Sequence, residues 1–203
     1  MEKGSGFSFD PKRSAVLSMD LQTGVVSVYV KEAGFIPRVA GVLERARAAG
    51  LPIVHVKVGF RPNVPEANPR NLFLSGIKGS PRHQEFFQGT SGAIHPALAP
   101  ASSDLVVTKS RVSAFAGTDL DLLLRAQEIE TLILFGIATS GVVLATFVAA
   151  FDGDYRLVVI KDCCADLDTE LHQCLVDKYF PRLAAVITAS EFQQALASAS
   201  EAT

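Results

Sequence analysis

The longest run without a charged residue is residues 131–151, TLILFGIATSGVVLATFVAAF. A membrane-spanning helix needs about 20 apolar residues, so this run is long enough to be one. Glycine and hydroxyl residues, however, interrupt the centre of the run. They are Gly136, Thr139, Ser140 and Gly141. Residues 131–135 are apolar and partly β-branched, which is typical of a strand buried on both faces. Residues 142–151 are long enough for a buried helix with Thr139 or Ser140 as its N-cap. The run therefore predicts strand, turn and helix.

The same pattern predicts further strands and helices on both sides of this run. Short aliphatic runs predict strands at residues 14–19, 51–58, 104–108, 155–160 and 185–188. Helical spacing of apolar residues predicts helices at 37–49, 118–128, 169–179 and 191–198, with Gly50 as a C-cap and Ser190 as an N-cap. Gln22 and Gly24 are assigned to a turn. Strands that alternate with helices indicate an α/β fold, a doubly wound, Rossmann-like parallel sheet of about six strands with helices on both faces. We expect residues 1–203 to form a single domain.

Residues 59–103 show no sustained periodicity and are rich in proline, glycine and asparagine. So long a connection usually contains a lid, a binding loop or a subunit contact. Six side chains in this connection could bind a carboxylate, namely Arg61, Asn63, Asn68, Arg70, Arg82 and His83. For any single one of them, the favoured interpretation is a solvated charge with no binding role. Together with a mean hydropathy of +0.27, this connection predicts a homo-oligomer, a dimer or higher, with the segment near a pocket mouth.

Composition and charge indicate which kinds of binding partner to expect. The chain is 48% hydrophobic and 20% charged, with a net charge of −2 and no basic run, so nucleic acid is not an expected partner. The first 14 residues, MEKGSGFSFDPKRS, have no apolar core and are not interpreted as a signal peptide. We expect a cytoplasmic protein with a small-molecule substrate and no membrane partner.

The cysteine and histidine positions argue against a metal centre. The cysteines are Cys163, Cys164 and Cys174, an odd number without a Cys-x-x-Cys pair. The histidines are scattered, at His55, His83, His95 and His172, so a structural zinc site is not expected. We expect neither a metal nor a cofactor.

Three polar features follow predicted strands and should lie at one edge of a parallel sheet. They are Asp20, Lys109 and the turn after Phe135. An aspartate after a strand is most often a cap, and a lysine there is most often exposed. Together, however, a carboxylate, an ammonium group and the backbone donors of a helix N-terminus form a site for acid–base chemistry. The alternative for the turn is a close connection that keeps the helix against the sheet.

The residues around these features resemble the motifs of the isochorismatase-like hydrolases, a superfamily of isochorismatases, nicotinamidases and carbamoyl amidases. The resembling segments are SMDLQ at 18–22, KSRVSAF at 109–115, GIATSGVVLAT at 136–146 and residues 162–166. The resemblance covers nearly the whole chain, from Ser14 to about Thr188. It implies that Asp20 and Lys109 are catalytic.

The turn departs from the family pattern at one position. The amidases of the family read Gly-Ile-x-Thr-x-x-Cys-Val, and Val142 stands at the position of the nucleophilic cysteine. The resemblance also implies that backbone N–H groups of Ala138 and Val142 bind an oxyanion, and that the peptide bond between Ile137 and Ala138 is cis. Residues expected to bind the oxyanion or the substrate are Ala138, Val142, Gln22, Phe115, Thr139 and Ser140. Where zinc-dependent nicotinamidases carry Asp-x-His, this chain has His55-Val-Lys57, which again speaks against a metal.

Hydrolysis without a cysteine remains compatible with these residues. The isochorismatases cleave a vinyl ether by protonating its carbon, and some of them also lack the cysteine. Asp20 could be the acid in this chain. That role requires burial to raise the pKa of Asp20 against the lowering effect of Lys109. We therefore expect a cysteine-independent hydrolase of a small metabolite. Two alternatives stay open: a non-catalytic binding or oligomeric protein, and an amidase with an unorthodox nucleophile such as Cys163 or Cys164.

Overall fold

In the computed structural model, which describes residues 9–201, six strands form one sheet in which all neighbours are parallel. The strands are β1 (Ser14–Met19), β2 (Ile53–Val58), β3 (Leu105–Lys109), β4 (Thr131–Ile137), β5 (Arg156–Ala165) and β6 (Ala185–Ile187). Their order across the sheet is β3-β2-β1-β4-β5-β6, which is that of a doubly wound α/β fold. The predicted fold class is confirmed.

Nine α-helices connect these strands within the described residues. They are α1 (Thr23–Tyr29), α2 (Phe35–Ala48), α3 (Leu72–Lys78), α4 (Pro81–Phe86), α5 (Gly89–Gly92), α6 (Leu120–Ala126), α7 (Leu144–Asp152), α8 (Thr169–Cys174) and α9 (Ala189–Glu201). Helix α1 corrects the sequence prediction, because Gly24 lies inside it rather than in a turn. Ser190 is not the cap of α9. Thr188 and Glu191 exchange hydrogen bonds at that helix start instead, as in a capping box.

The two central strands carry the core. Every residue of β1 and of β4 is buried, which explains why their sequences are continuously apolar or small rather than alternating. Large side chains that are fully buried in the same core include Phe135, Phe147, Phe180 and Phe192. Strand β3, at the end of the sheet order, has two exposed positions among its five residues.

The connection over residues 59–103 is more ordered than its sequence indicates. It contains α3, α4, α5 and a short 3₁₀ turn, Pro96–Leu98. A second, small hydrophobic cluster forms inside it from Val64, Ala67, Leu74 and Ile77. Two apolar side chains of α3 face outward, since Leu72 is 86% exposed and Phe73 is 60% exposed.

The passage from β4 to α7 also differs from the prediction. A wide turn with π-helical hydrogen bonding spans Thr139–Val143, and Gly141 inside it has φ −99° and ψ −106°. Helix α7 therefore begins at Leu144 rather than at residue 142. Neither Thr139 nor Ser140 caps it through a side chain, because both hydroxyls bind groups of the segment after β5.

No helix within residues 9–201 is both long enough and apolar enough to cross a membrane. The uncharged run 131–151 is divided between β4, the wide turn and α7. The prediction that the first 14 residues are not a signal peptide falls partly on residues 1–8. These residues lie outside the described part of the chain.

Gly136 brings β4 unusually close to β1. It is the register partner of Met19, it has φ +146°, and a Cβ atom built on it would collide with the carbonyl oxygen of Met19. We predict that Gly136→Ala lowers the free energy of unfolding by at least about 2 kcal/mol, because backbone atoms on both strands must move. Urea denaturation followed by circular dichroism measures this change.

Gly76→Ala is the matched control for Gly136→Ala. Gly76 lies inside α3, and a Cβ atom there has no neighbour within 4 Å. The control substitution should leave the stability unchanged or raise it by up to about 1 kcal/mol, since alanine is the better helix former. A Gly136→Ala variant as stable as the control would show that the approach of β1 to β4 does not require glycine.

Candidate functional site

The ends of three strands meet around one cavity. Asp20 directly follows β1, Lys109 is the last residue of β3, and the wide turn follows β4. The strand order reverses between β1 and β4, and in open α/β sheets ligands bind at such a reversal, beyond the carboxyl ends of the strands. The cavity has a volume of about 830 Å³, and its wall includes Asp20, Lys109, Ile137, Ala138, Ser140, Gly141 and Val142. The structure therefore brings together the three polar features that the sequence singles out.

The backbone turns sharply at Asp20. Its φ of 54° is in the left-handed region, which non-glycine residues rarely adopt and which often marks a functional position. The Asp20 N–H still donates to the carbonyl oxygen of Val56, at 2.8 Å. Asp20 thus stays attached to the sheet while the chain leaves the strand direction toward α1.

Lys109 is the partner of Asp20. Its Nζ donates to Asp20 Oδ2 at 2.8 Å and to the carbonyl oxygen of Arg111 at 3.1 Å. Both side chains are buried, with 2% of Lys109 and 9% of Asp20 exposed. The other carboxyl oxygen, Asp20 Oδ1, is buried and has no hydrogen-bond partner in the described part of the chain. One oxygen of the carboxyl group is therefore held by Lys109, and the other is buried without a hydrogen bond.

Burial decides the protonation of Asp20. Loss of solvent raises the pKa of Asp20 to about 6, although the charge of Lys109 and its hydrogen bond both lower it. A carboxylic acid with a pKa near neutrality is present in both forms at physiological pH, so it can act as a general acid or as a general base.

The wide turn and the residues just before it form another part of the cavity wall. The peptide bond between Ile137 and Ala138 is cis, and Ala138 and Val142 both line the cavity. The Val142 side chain is 2% exposed. A valine side chain has neither a nucleophile nor a proton to transfer.

Asp166 fixes the turn from the segment after β5. Its Oδ2 accepts from both the N–H and the hydroxyl of Ser140, each at 2.7 Å. Asp166 also lines the cavity. The expected substrate-binding hydroxyl of Ser140 is therefore occupied by a carboxylate, although Ser140 does reach the cavity.

Three other expected binding residues, Gln22, Thr139 and Phe115, are not on the cavity wall. Gln22 binds main-chain groups, donating to the carbonyl oxygens of Val58 and Gly92 and accepting from the N–H of Val58. Thr139 is fully buried, and its hydroxyl lies 2.8 Å from Nδ1 of His172. Phe115 packs its ring against Tyr155, at 6.0 Å between centroids. In each case the side chain holds the scaffold around the site.

The cysteines lie away from the cavity wall. Cys163 and Cys164 are buried in β5, and neither is among the cavity-lining residues. Burial raises the pKa of both thiols, so they stay protonated and are poor nucleophiles. This placement removes the geometric support for either residue as an unorthodox nucleophile.

The cavity also has residues that the sequence does not single out. Arg111 and Asp166 line it, as do aromatic residues of the long connection, namely Phe60, Phe73, Phe86 and Phe87. The segment 162–166 resembles a family motif and could have pointed to Asp166, whereas nothing in the sequence marks the aromatic residues. Of the candidate carboxylate-binding residues in the connection, His83 alone is on the wall; Arg61, Asn63, Asn68, Arg70 and Arg82 are not.

No three or more histidine, cysteine, aspartate or glutamate side chains within residues 9–201 are grouped so as to hold a metal ion. His55 is buried, and its Nε2 lies 3.2 Å from Oδ2 of Asp104. Oδ2 of Asp104 also accepts a hydrogen bond from Nη2 of Arg47, at 2.6 Å. These contacts assign His55 to a buried polar network that links β2 to the start of β3.

Comparison with known proteins finds similarity over most of the chain. The isochorismatase domain family matches residues 14–191. The uncharacterized isochorismatase family protein YecD of Escherichia coli O157:H7 is 31% identical over 194 residues, which cover 91% of this chain and 97% of YecD. Maleamate amidohydrolase of Pseudomonas putida is 28% identical over 162 residues, covering 79% of this chain and 74% of that enzyme.

A solved structure agrees over almost the whole chain. An isochorismatase family protein from Burkholderia thailandensis superimposes with a TM-score of 0.83 at 31% identity, covering 95% of this chain and 100% of that one. The resemblance seen in the sequence motifs is thereby confirmed at the level of the family. The chain belongs to the isochorismatase-like hydrolase family.

Proposed function

We propose that this protein hydrolyses a small metabolite by acid–base catalysis of Asp20 and Lys109, without a nucleophilic cysteine. The observation that carries the proposal is the buried pair itself. Asp20 lines the cavity, one of its oxygens is bound to Lys109 and the other has no partner in the described residues, and burial raises its pKa to about 6. Since Lys109 holds one oxygen, the acid has a fixed orientation.

The proposed reaction is hydrolysis of a vinyl ether. Protonated Asp20 transfers its proton to the enol-ether carbon, and water adds to the resulting oxocarbenium ion. The hemiketal that forms loses the alcohol and leaves a carbonyl group, and the proton released returns to Asp20. Lys109 orients Asp20 throughout, and the N–H groups of Ala138 and Val142 are proposed to bind the substrate oxygen.

The side chain of Val142 supports a mechanism without a covalent intermediate. We propose that Val142 occupies the position at which amidases of this family carry their cysteine. A thioester mechanism needs a thiolate at that point, and valine provides none. Water is then the nucleophile, and the wide turn retains only its electrostatic role.

Amide hydrolysis is the second candidate function, because one relative is a maleamate amidohydrolase. On this mechanism, ionised Asp20 removes a proton from water, and the water attacks the amide carbonyl. The two candidates need opposite protonation states of Asp20, so the pH profile separates them. A non-catalytic binding protein remains the third candidate.

We predict that Asp20→Asn, which retains the shape but has no transferable proton, lowers kcat by about 10²–10⁴. Lys109→Ala should have an effect of similar size, and the double variant should be little worse than either single variant, because the two groups act as a unit. The rates are measured on whichever compound is turned over in a screen of isochorismate, nicotinamide, ureido acids and simple amides. An Asp20→Asn variant as active as the wild type would exclude Asp20 from the mechanism.

The pH profile of the wild type is the control for this assignment. If Asp20 is the general acid, kcat/KM is constant below a pKa of about 6 and falls about tenfold per pH unit above it. If Asp20 is a general base, kcat/KM rises with pH through the same region. A profile with no break there would exclude Asp20 from both roles.

We predict that Val142→Cys leaves vinyl-ether hydrolysis within about tenfold of the wild type, since on the proposed mechanism this side chain takes no part in proton transfer. The same change should create sensitivity to thiol alkylation and slow amide hydrolysis, because a helix N-terminus favours the thiolate. The matched control is Val143→Cys, because Val143 is equally buried but is not on the cavity wall. Loss of native activity in Val142→Cys alone would give this side chain a direct role.

We also propose a homo-oligomer in which the outward face of α3 lies at a subunit contact. Its support is the exposure of Leu72 and Phe73 beside the cavity mouth, since large exposed apolar side chains that cluster often mark contact surfaces. Sedimentation at micromolar concentration tests it, and a single monomeric species would contradict it.

A further inference from the structure

The cavity wall carries a cation that the proposed reaction does not use. Three basic residues line the cavity, namely His83, Lys109 and Arg111. Lys109 is bound to Asp20, whereas Arg111 has no acidic side chain within ion-pair distance in residues 9–201. The Arg111 guanidinium is thus a positive charge at the cavity without a counter-ion.

The Arg111 side chain is held in place by main-chain oxygens. Its Nη1 donates to the carbonyl oxygen of Ser110 at 2.7 Å, and its Nη2 donates to that of Glu66 at 3.1 Å. These contacts place the guanidinium group of Arg111, an exposed residue, between the end of β3 and the long connection and leave its net charge in place. The remaining N–H donors form the planar fork that binds a carboxylate with two hydrogen bonds.

Arg111 is also joined to the reacting pair. Its carbonyl oxygen accepts from Nζ of Lys109, the same atom that binds Asp20. The main chain of Arg111 is therefore tied to the pair, and Arg111 and Asp20 line the same cavity.

Another part of the wall is aromatic. Phe60, Phe86 and Phe87 form an edge-to-face cluster, with ring centroids 5.7 Å apart for Phe60 and Phe87 and 5.0 Å apart for Phe86 and Phe87. Leu74 and Ile77 of α3 add to this surface. The volume of about 830 Å³ is in the range that encloses ligands larger than a few atoms.

The charges on the wall limit the anion to a single charge. Asp166 also lines the cavity and Asp20 is already paired with Lys109, so a dianion such as a phosphate monoester would have only one unpaired arginine to offset its two charges. A monocarboxylate is matched by Arg111 alone. We propose that the cavity binds an amphipathic monocarboxylate, with its carboxylate on Arg111 and its apolar or aromatic body against Phe60, Phe86 and Phe87. This inference names the substrate class of the proposed hydrolase and rests on that function.

Binding of inert probes tests the inference without turnover. The probes are hydrocinnamate, its neutral analogue benzylacetone, and propionate, each titrated calorimetrically into the intact protein. Hydrocinnamate should bind more tightly than either of the others. Arg111→Gln keeps hydrogen-bonding capacity but removes the charge, and it should weaken hydrocinnamate binding by about ten- to a hundredfold while leaving benzylacetone unchanged.

The matched control is Arg82→Ala. Arg82 is an exposed arginine of α4 that is not on the cavity wall, so its loss changes the net charge equally and should leave all affinities as in the wild type. Arg111→Lys is the second charge variant. It keeps the cation but not the fork, so its affinity should lie between those of the wild type and Arg111→Gln.

The outcomes separate this inference from the proposed function. Equal affinities for hydrocinnamate and benzylacetone in the wild type, or equal losses in Arg111→Gln and Arg82→Ala, would overturn the carboxylate site even if Asp20→Asn were inactive. The expected affinities together with a fully active Asp20→Asn variant would keep the carboxylate site and reject acid catalysis by Asp20.

Discussion

The contact between β1 and β4 is the constraint on which the site depends. At Gly136 the two strands approach so closely that a side chain would collide with the carbonyl oxygen of Met19. Immediately beyond this contact the chain departs on one side through Asp20, with φ 54°, and on the other through the turn Thr139–Val143. Because the connections leave a parallel sheet in different directions where the strand order reverses, an opening forms at that point. The close contact of β1 with β4 and the cavity beyond it therefore both lie at the reversal of the strand order.

The pair of Asp20 and Lys109 is a poor source of stability for this fold. Moving two charges from water into a buried site has a large unfavourable free energy, which the mutual attraction often only offsets. At this site, burial has the larger effect on Asp20, since its pKa rises despite the adjacent ammonium group. Lys109 lowers that pKa through its charge and its hydrogen bond, but by less than burial raises it. On the proposed mechanism, this balance keeps a carboxylic acid oriented and available near neutral pH.

Elements with long apolar runs could be predicted from the sequence, and elements fixed by distant contacts could not. Strand β1 is found at its predicted bounds because six consecutive buried residues leave a clear signal. Helices α3 and α4 lack a helical repeat, because the apolar residues Leu72, Phe73 and Leu74 of α3 are consecutive and α4 has a single large apolar residue, Phe86. Asp20 follows β1 and Lys109 ends β3, so their position at one edge of the sheet could be predicted. The binding of Gln22 to Val58 and Gly92 depends on tertiary structure that no local pattern encodes.

The two proposals reinforce each other through electrostatics. A carboxylate bound at Arg111 adds a negative charge to a cavity that already contains Asp20 and Asp166. A nearby like charge disfavours ionisation, so the pKa of Asp20 in the complex would rise above its value of about 6 in the free protein. The bound substrate would then help to keep the proton that it later receives. An amide mechanism gains nothing from this coupling, because it needs Asp20 ionised. An anionic substrate thus favours acid catalysis over base catalysis at this site, for a reason that lies in the charges of the cavity wall.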